Sequence, residues 1–163
     1  CLQGPNAVVL NYIRSAIEEA VVLRPESDYA VGPLRFSTSP RHRHALETYG
    51  IIFKPEDGPQ VGFLVDTEYF EELADAYRGV DVLVVNVVRH TPYPDPKVMH
   101  LSADDARRVI AGARPGKAVL THFGMDMLRA EPDRLAAELT EETGVEVIAA
   151  TDGMTLPLDA DHK

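Results

Sequence analysis

Short apolar segments alternate with amphipathic segments through the second half of the chain, and this alternation limits the fold more than any other feature. The apolar segments are VGFLV (61 to 65), DVLVVNVV (81 to 88), KAVLTH (117 to 122) and VEVIAA (145 to 150). Their length and composition predict buried strands. Helical spacing of apolar residues predicts helices over EYFEELADAYRG (68 to 79), ADDARRVIAGA (103 to 113) and PDRLAAELTEET (132 to 143). The resulting βαβαβαβ order is typical of an α/β layered domain.

Local signals set the ends of two of these helices. Ser102 and Asp105 form an S-x-x-D start, which predicts a capping box. Pro132 is typical of a first helical position, and Gly144 is typical of a helix end. Residues 89 to 100 contain three prolines and are predicted to be irregular.

The first half of the chain contributes an antiparallel element. LRFST (34 to 38), YGIIFK (49 to 54) and VGFLV read as strands, and the turn residues PEDGP (55 to 59) predict a hairpin between the last two. This hairpin argues against a doubly wound, flavodoxin-like alternative, whose central strands are parallel. Residues 6 to 25 are interpreted as a short helix followed by a strand, and MTLPL (154 to 158) as a final strand.

Size and charge limit the function classes. The 163 residues are enough for one domain, spanning 1–163, with an ordinary core. The formal net charge of −10 disfavours non-specific nucleic-acid binding. The longest apolar run has nine residues (80 to 88), well short of the ~20 that cross a bilayer, so we expect no membrane association. Cys1 is the only cysteine, which favours a reducing, cytoplasmic location.

Five residues capable of chemistry stand at predicted element boundaries: His44, Asp66, His100, His122 and Asp152. In layered α/β folds, ligand sites collect where strands end. Histidine and carboxylate side chains together are a donor set that Zn, Mn and Fe accept. No phosphate-binding glycine loop and no G-x-S-x-G motif occurs, so nucleotide and serine-nucleophile chemistry lack their motifs.

Structural explanations exist for some of these residues. Asp66 can be a helix cap for the segment that follows, and His122 can be a packed, hydrogen-bonded histidine. His42 and His90 lie in loops and are expected to be structural or solvated.

Four segments, in this order, resemble motifs of the metallo-β-lactamase-fold hydrolases. They are HALETYGIIF (44 to 53), VGFLVDTEYF (61 to 70), HLSADDA (100 to 106) and AVLTHFGMDML (118 to 128). The resemblance runs from about residue 31 to 158 and is greatest to the branch of tRNA 3′-end processing endonucleases and related phosphodiesterases. It implies an α/β fold that is part of a four-layered αββα sandwich, with a mixed sheet and helices on one face.

The resemblance also implies residue roles. His44 would bind a first metal ion, Asp66 would bridge two, and His122 would bind the second. His100 would donate a proton to the leaving group, while Thr67 and Asp152 would support the site from behind the ligands. The implied cofactor is a divalent metal, zinc before manganese or iron, with up to two ions if the family's H-x-H-x-D-H segment is supplied.

One expected motif is absent. The family's H-x-H-x-D-H segment should precede His44, but His42 and His44 are followed by Ala45 and Leu46. We therefore expect the chain to be the C-terminal portion of a larger metallo-hydrolase domain.

These motifs are compatible with two functions. One is a hydrolase of phosphodiester or related ester bonds that uses a metal-activated water, with a small-molecule or nucleic-acid-derived substrate. The other is a non-catalytic binding or scaffolding module with an incomplete metal site. Either a homo-oligomer or an N-terminal half of the fold would supply the missing sheet.

Overall fold

The computed structural model describes residues 16–17, 21–92 and 99–158, and within these it contains one mixed sheet. Its seven strands follow one another in space in chain order. They are β1 (Asp28–Val31), β2 (Leu34–Thr38), β3 (Ile51–Phe53), β4 (Val61–Leu64), β5 (Val82–Asn86), β6 (Lys117–Thr121) and β7 (Glu146–Ala149). The predicted α/β class and mixed sheet are confirmed.

Strand direction changes once across the sheet. β1 to β4 are antiparallel, and β4 to β7 are parallel. The predicted hairpin joins β3 and β4, with Ile52 opposite Gly62. β1 was not predicted, and it pairs with β2 through a two-residue turn that begins at Gly32, whose φ of 57° suits glycine.

In chain order, the helices connect consecutive parallel strands from β5 to β7. They are α1 (Ala103–Ala113), α2 (Met125–Arg129) and α3 (Pro132–Thr143). Both halves of the predicted capping box are present, because Ser102 accepts from the backbone N–H of Asp105 and the Asp105 side chain accepts from that of Ser102. Gly144 ends α3 in the left-handed conformation, as predicted. The short helix α2 was not predicted.

Two predicted elements are wrong. In place of a helix over 68 to 79, the chain makes two consecutive 3₁₀ turns, Glu71–Leu73 and Asp75–Tyr77. A 3₁₀ turn rises about 2.0 Å per residue against 1.5 Å in an α-helix, so this short segment covers more of the distance back to β5. Residues 154–158 form no strand, and Pro157 within them cannot donate to a sheet.

The prediction for residues 6 to 25 lies largely outside the described residues. Positions 21–25 are described, and they form no strand. Among the described residues, no helix is both long enough and apolar enough to cross a membrane.

The two faces of the sheet differ. On one face Leu64, Leu83 and Leu120 are fully buried in a core that includes Val109 and Ile110 of α1. Helices therefore cover this face.

The opposite face carries a row of aromatic rings across the first four strands. Ring centroids are 5.3 Å apart for Tyr29 and Phe36, 6.0 Å for Phe36 and Phe53, and 5.8 Å for Phe53 and Phe63. Phe63 is 37% exposed, although it lies in the middle of the sheet. We call these four residues the aromatic row; they lie on the face opposite the helices.

Candidate metal centre

Four of the predicted side chains meet beyond the carboxyl ends of β4, β5 and β6. Nδ1 of His100 lies 3.7 Å from Oδ1 of Asp66, and Nε2 of His122 lies 3.4 Å from the same oxygen. The ring of His100 is 5.6 Å from that of His44 and 6.3 Å from that of His122, centroid to centroid. Residues up to 78 positions apart in the chain are thus neighbours in space.

Asp66 follows β4 and is held by a residue of the adjacent strand. Nδ2 of Asn86, the last residue of β5, donates a 2.9 Å hydrogen bond to Oδ1 of Asp66. The interpretation of Asp66 as a helix cap is wrong, since the next turn begins at Glu71 with Phe70 as an N-cap that makes no side-chain bond. Asn86 was not predicted as a site residue, although a single polar residue near the end of the apolar segment DVLVVNVV points to a specific role for its side chain.

His44 lies in the loop between β2 and β3, and Thr67 ties that loop to β4. Oγ1 of Thr67 accepts a 3.0 Å hydrogen bond from the backbone N–H of Arg43, and the N–H of Glu68 donates to the carbonyl oxygen of Arg43. Thr67 is fully buried, so this connection is shielded from water. It places His44 next to Asp66, and the supporting role of Thr67 behind the ligands stays a prediction.

His100 lies two residues before the cap of α1 and is partly buried. Burial lowers its pKa, and the nearby carboxylate of Asp66 acts in the opposite direction. The rings of His44 and His122 and the charge of Arg89 lower the pKa further.

His122 follows β6 in an uncommon backbone conformation. Its φ is 62°, a left-handed value that non-glycine residues rarely adopt and that recurs at functional sites. The chain then turns tightly, and a Cβ at Gly124 would lie 2.5 Å from the carbonyl oxygen of Val88. This turn places the His122 side chain, which is 53% exposed, at the mouth of the site.

Asp152 is exposed, whereas Asp66 is partly buried. Asp152 occupies an exposed turn after β7 and lines a groove of about 650 Å³ together with His122. Its supporting role behind the ligands stays a prediction.

The histidine two residues before His44 has a structural environment. His42 is 2% exposed, and its Nε2 lies 3.2 Å from the hydroxyl of Tyr77. Burial lowers the pKa of His42 to about 4, so the ring is neutral near pH 7. The expectation of a structural or solvated role agrees with this buried contact.

The donor set fits a divalent cation. His44, Asp66 and His100 each offer a ligand atom, and these three atoms lie within 4.8 Å of one another. Imidazole nitrogens with one carboxylate are ligands that zinc and related metals accept. His122, close to the same carboxylate, is within reach of the same centre.

Comparisons with known proteins agree with this geometry. The model of the β-lactamase superfamily domain matches residues 5–123. The uncharacterised protein MJ1374 of Methanocaldococcus jannaschii is 28% identical over 157 residues, covering 93% of this chain and 56% of that protein. Ribonuclease Z of Nocardia farcinica is 30% identical over 113 residues, covering 68% of this chain and 36% of that enzyme.

A solved structure extends the likeness to the fold. The metallo-β-lactamase fold protein YhfI of Bacillus subtilis superposes with a TM-score of 0.71 at 18% identity, over 83% of this chain and 54% of that one. The chain therefore spans roughly half or less of the length of each of these three proteins.

Proposed function

The chain belongs to the metallo-β-lactamase superfamily, and from this premise we propose that it is a metal-dependent hydrolase of phosphodiester or related ester bonds. The observation that carries the proposal is the convergence of His44, Asp66 and His100, with His122 beside them. A cluster of imidazoles around one carboxylate suits metal-assisted hydrolysis.

In this proposal His44, Asp66 and His122 would hold the cation. The rings of His44 and His122 lie 5.6 and 6.3 Å from the ring of His100, and the two oxygens of Asp66 would allow this carboxylate to bridge two ions. Neutral imidazoles bind a cation without cancelling its charge. When bound, a divalent cation such as zinc supplies Lewis acidity toward the scissile group and lowers the pKa of water.

His100 is the proton donor in this proposal. Its ring neighbours those of His44 and His122, and its Nδ1 lies 3.7 Å from Oδ1 of Asp66. A histidine next to the reacting group can give a proton to the departing oxygen, which otherwise leaves as an alkoxide. The same position also lets His100 act as a metal ligand, and mutagenesis separates the two roles.

Metal content and hydrolysis test the proposal together. We expect the purified protein to bind zinc or manganese in equilibrium dialysis and to hydrolyse bis(p-nitrophenyl) phosphate only with metal present. His122→Gln should abolish turnover, whereas His90→Gln, in the proline-rich loop, should leave it unchanged. A protein that binds no divalent metal, or a His122→Gln variant of full activity, refutes the proposal.

The aromatic row favours a second candidate, a non-catalytic module. An apolar sheet face rarely stays solvated, so Phe53 and Phe63 suit packing against a second copy of the chain. This candidate requires self-association without metal binding. A dimer in light scattering that Phe63→Ser dissociates, together with no metal uptake, would favour it over the hydrolase.

A further inference from the structure

A groove of about 650 Å³ opens beside His122, between the ends of β6 and β7 and the start of α3. Its volume is within the range of small-molecule sites in proteins. The carboxyl ends of parallel strands are also where ligands bind in α/β sheets. The groove shares His122 with the candidate metal centre and is large enough for part of a substrate.

Apolar side chains form much of the groove. Phe123, Leu128 and Pro132 line it from the segment after β6, and Ala149 lines it from β7. Leu128 is 51% exposed, although the neighbouring Met127 is fully buried. These residues give an apolar organic group a surface to pack against.

The charged groups that line the groove are carboxylates. Asp133, at the start of α3, and Asp152, after β7, both line it, and none of the described lining residues is Lys or Arg. The whole chain carries a net charge of −10. An anionic group entering the groove would thus meet like charge, whereas an amine would meet opposite charge.

We propose that this groove binds the substrate group on the His122 side of the scissile bond, and that this group is apolar and carries an amine. The role of the groove as a substrate site rests on the proposed function, but its ligand preference does not. A polynucleotide is disfavoured, because each added phosphate would place another negative charge near Asp133 and Asp152.

Three matched probes test the ligand preference without any turnover. Phenethylamine, phenethyl alcohol and hydrocinnamate share an aromatic ring and a two-carbon linker and differ in the charge of the end group. In NMR titrations we expect phenethylamine to shift the signals of Leu128 and Asp152 at the lowest concentration. Hydrocinnamate should bind about tenfold more weakly, the size expected of two exposed charge interactions.

Charge-neutralising variants test whether Asp133 and Asp152 cause the preference for an amine. Asp152→Asn and Asp133→Asn should each weaken phenethylamine binding about threefold and leave phenethyl alcohol unchanged. Glu146→Gln is the matched control, since Glu146 lies at the other end of β7, paired with Lys117. Equal or tighter binding of hydrocinnamate, or equal effects of Glu146→Gln and Asp152→Asn, overturns the proposal.

Kinetics add a second readout if the protein is a hydrolase. Two p-nitrophenyl phosphodiesters whose second alcohol ends in an ammonium or a carboxylate should differ about tenfold in kcat/KM, and Asp152→Asn should reduce the ratio. If the protein hydrolyses neither compound, the proposed function fails while the binding titrations still decide the groove. If both are hydrolysed at equal rates, the groove preference fails while the hydrolase remains.

Discussion

Asn86 fixes one oxygen of Asp66 through a 2.9 Å hydrogen bond, and the same oxygen lies 3.4 Å from Nε2 of His122. The amide thereby limits rotation of the carboxylate, so the other oxygen keeps a constant direction. Supporting hydrogen bonds of this kind orient metal ligands and raise affinity. Asn86 is thus a positioning residue for the candidate metal centre.

Asn86→Ala should weaken zinc binding 10- to 100-fold, roughly the effect of losing such a support. The free energy of unfolding without metal should fall by only about 1 kcal/mol, the net value of one hydrogen bond. Competition with a fluorescent chelator measures the affinity, and urea unfolding measures the stability. Gln60→Ala is the control, because it removes an exposed side-chain amide just before β4, at the opposite end of that strand from Asp66. It should change neither the zinc affinity nor the stability.

Substitution of His100 and substitution of His122 should have different effects on metal binding and catalysis. His122→Gln should reduce the amount of bound metal, since it removes a ligand. His100→Gln should retain the metal and lower kcat by about 10²- to 10⁴-fold, the contribution of a general acid. Loss of metal in His100→Gln would instead make His100 a ligand. Metal analysis alongside kinetics separates these outcomes.

Stability should fall in mild acid because His42 is buried and neutral. Its pKa is about 4 in the folded protein and about 6.5 in the unfolded chain, so the unfolded chain binds a proton first as the pH drops. The contribution of neutral His42 to the free energy of unfolding is therefore fully present above pH 6.5 and is lost as the pH falls toward 4. The loss attributable to His42 is about 3 kcal/mol.

A variant isolates the contribution of His42 from those of other titrating groups. In His42→Gln, the decrease in the free energy of unfolding between pH 7 and pH 4 should be smaller than in the parent protein. Urea unfolding at several pH values gives this difference. Parallel curves for both proteins would contradict the assignment.

Gly50 leaves the space that the Tyr77 hydroxyl occupies. A Cβ at Gly50 would overlap this hydroxyl and would lie 2.7 Å from the carbonyl oxygen of Phe63. Gly50→Ala should destabilise the fold by about 1 to 3 kcal/mol, as overpacking does. Thermal unfolding measures the change, and Gly50→Ala with Tyr77→Phe should recover part of it. No recovery would mean that the backbone contact with Phe63 dominates.

Sequence patterns predicted the parallel half of the sheet well. The segments of β4 to β7 are strongly apolar, and a chain cannot leave four such segments in water. The ends of α1 and α3 were also correct, because Ser102, Asp105 and Gly144 act through local backbone geometry. Local chemistry of this kind is independent of the rest of the fold.

The sequence did not predict elements with weaker local signals, or predicted the wrong type of structure for them. β1 has exposed positions and depends on pairing with β2, and α2 has only five residues. The segment over 68 to 79 has helical spacing, yet it forms 3₁₀ turns between β4 and β5. In each case tertiary contacts outweigh a weak local preference.

The sequence by itself determined which residues could carry chemistry, since side-chain type and position at an element boundary are local properties. His44, Asp66, His100 and His122 could be selected in this way. Only the tertiary structure decided that they meet, because the register that aligns Leu64 with Val85 and Asn86 with Thr121 brings the three strand ends level. Asn86 beside Asp66 and His42 beside Tyr77 follow from the same packing, and no spacing along the chain encodes distances between residues that the fold brings together.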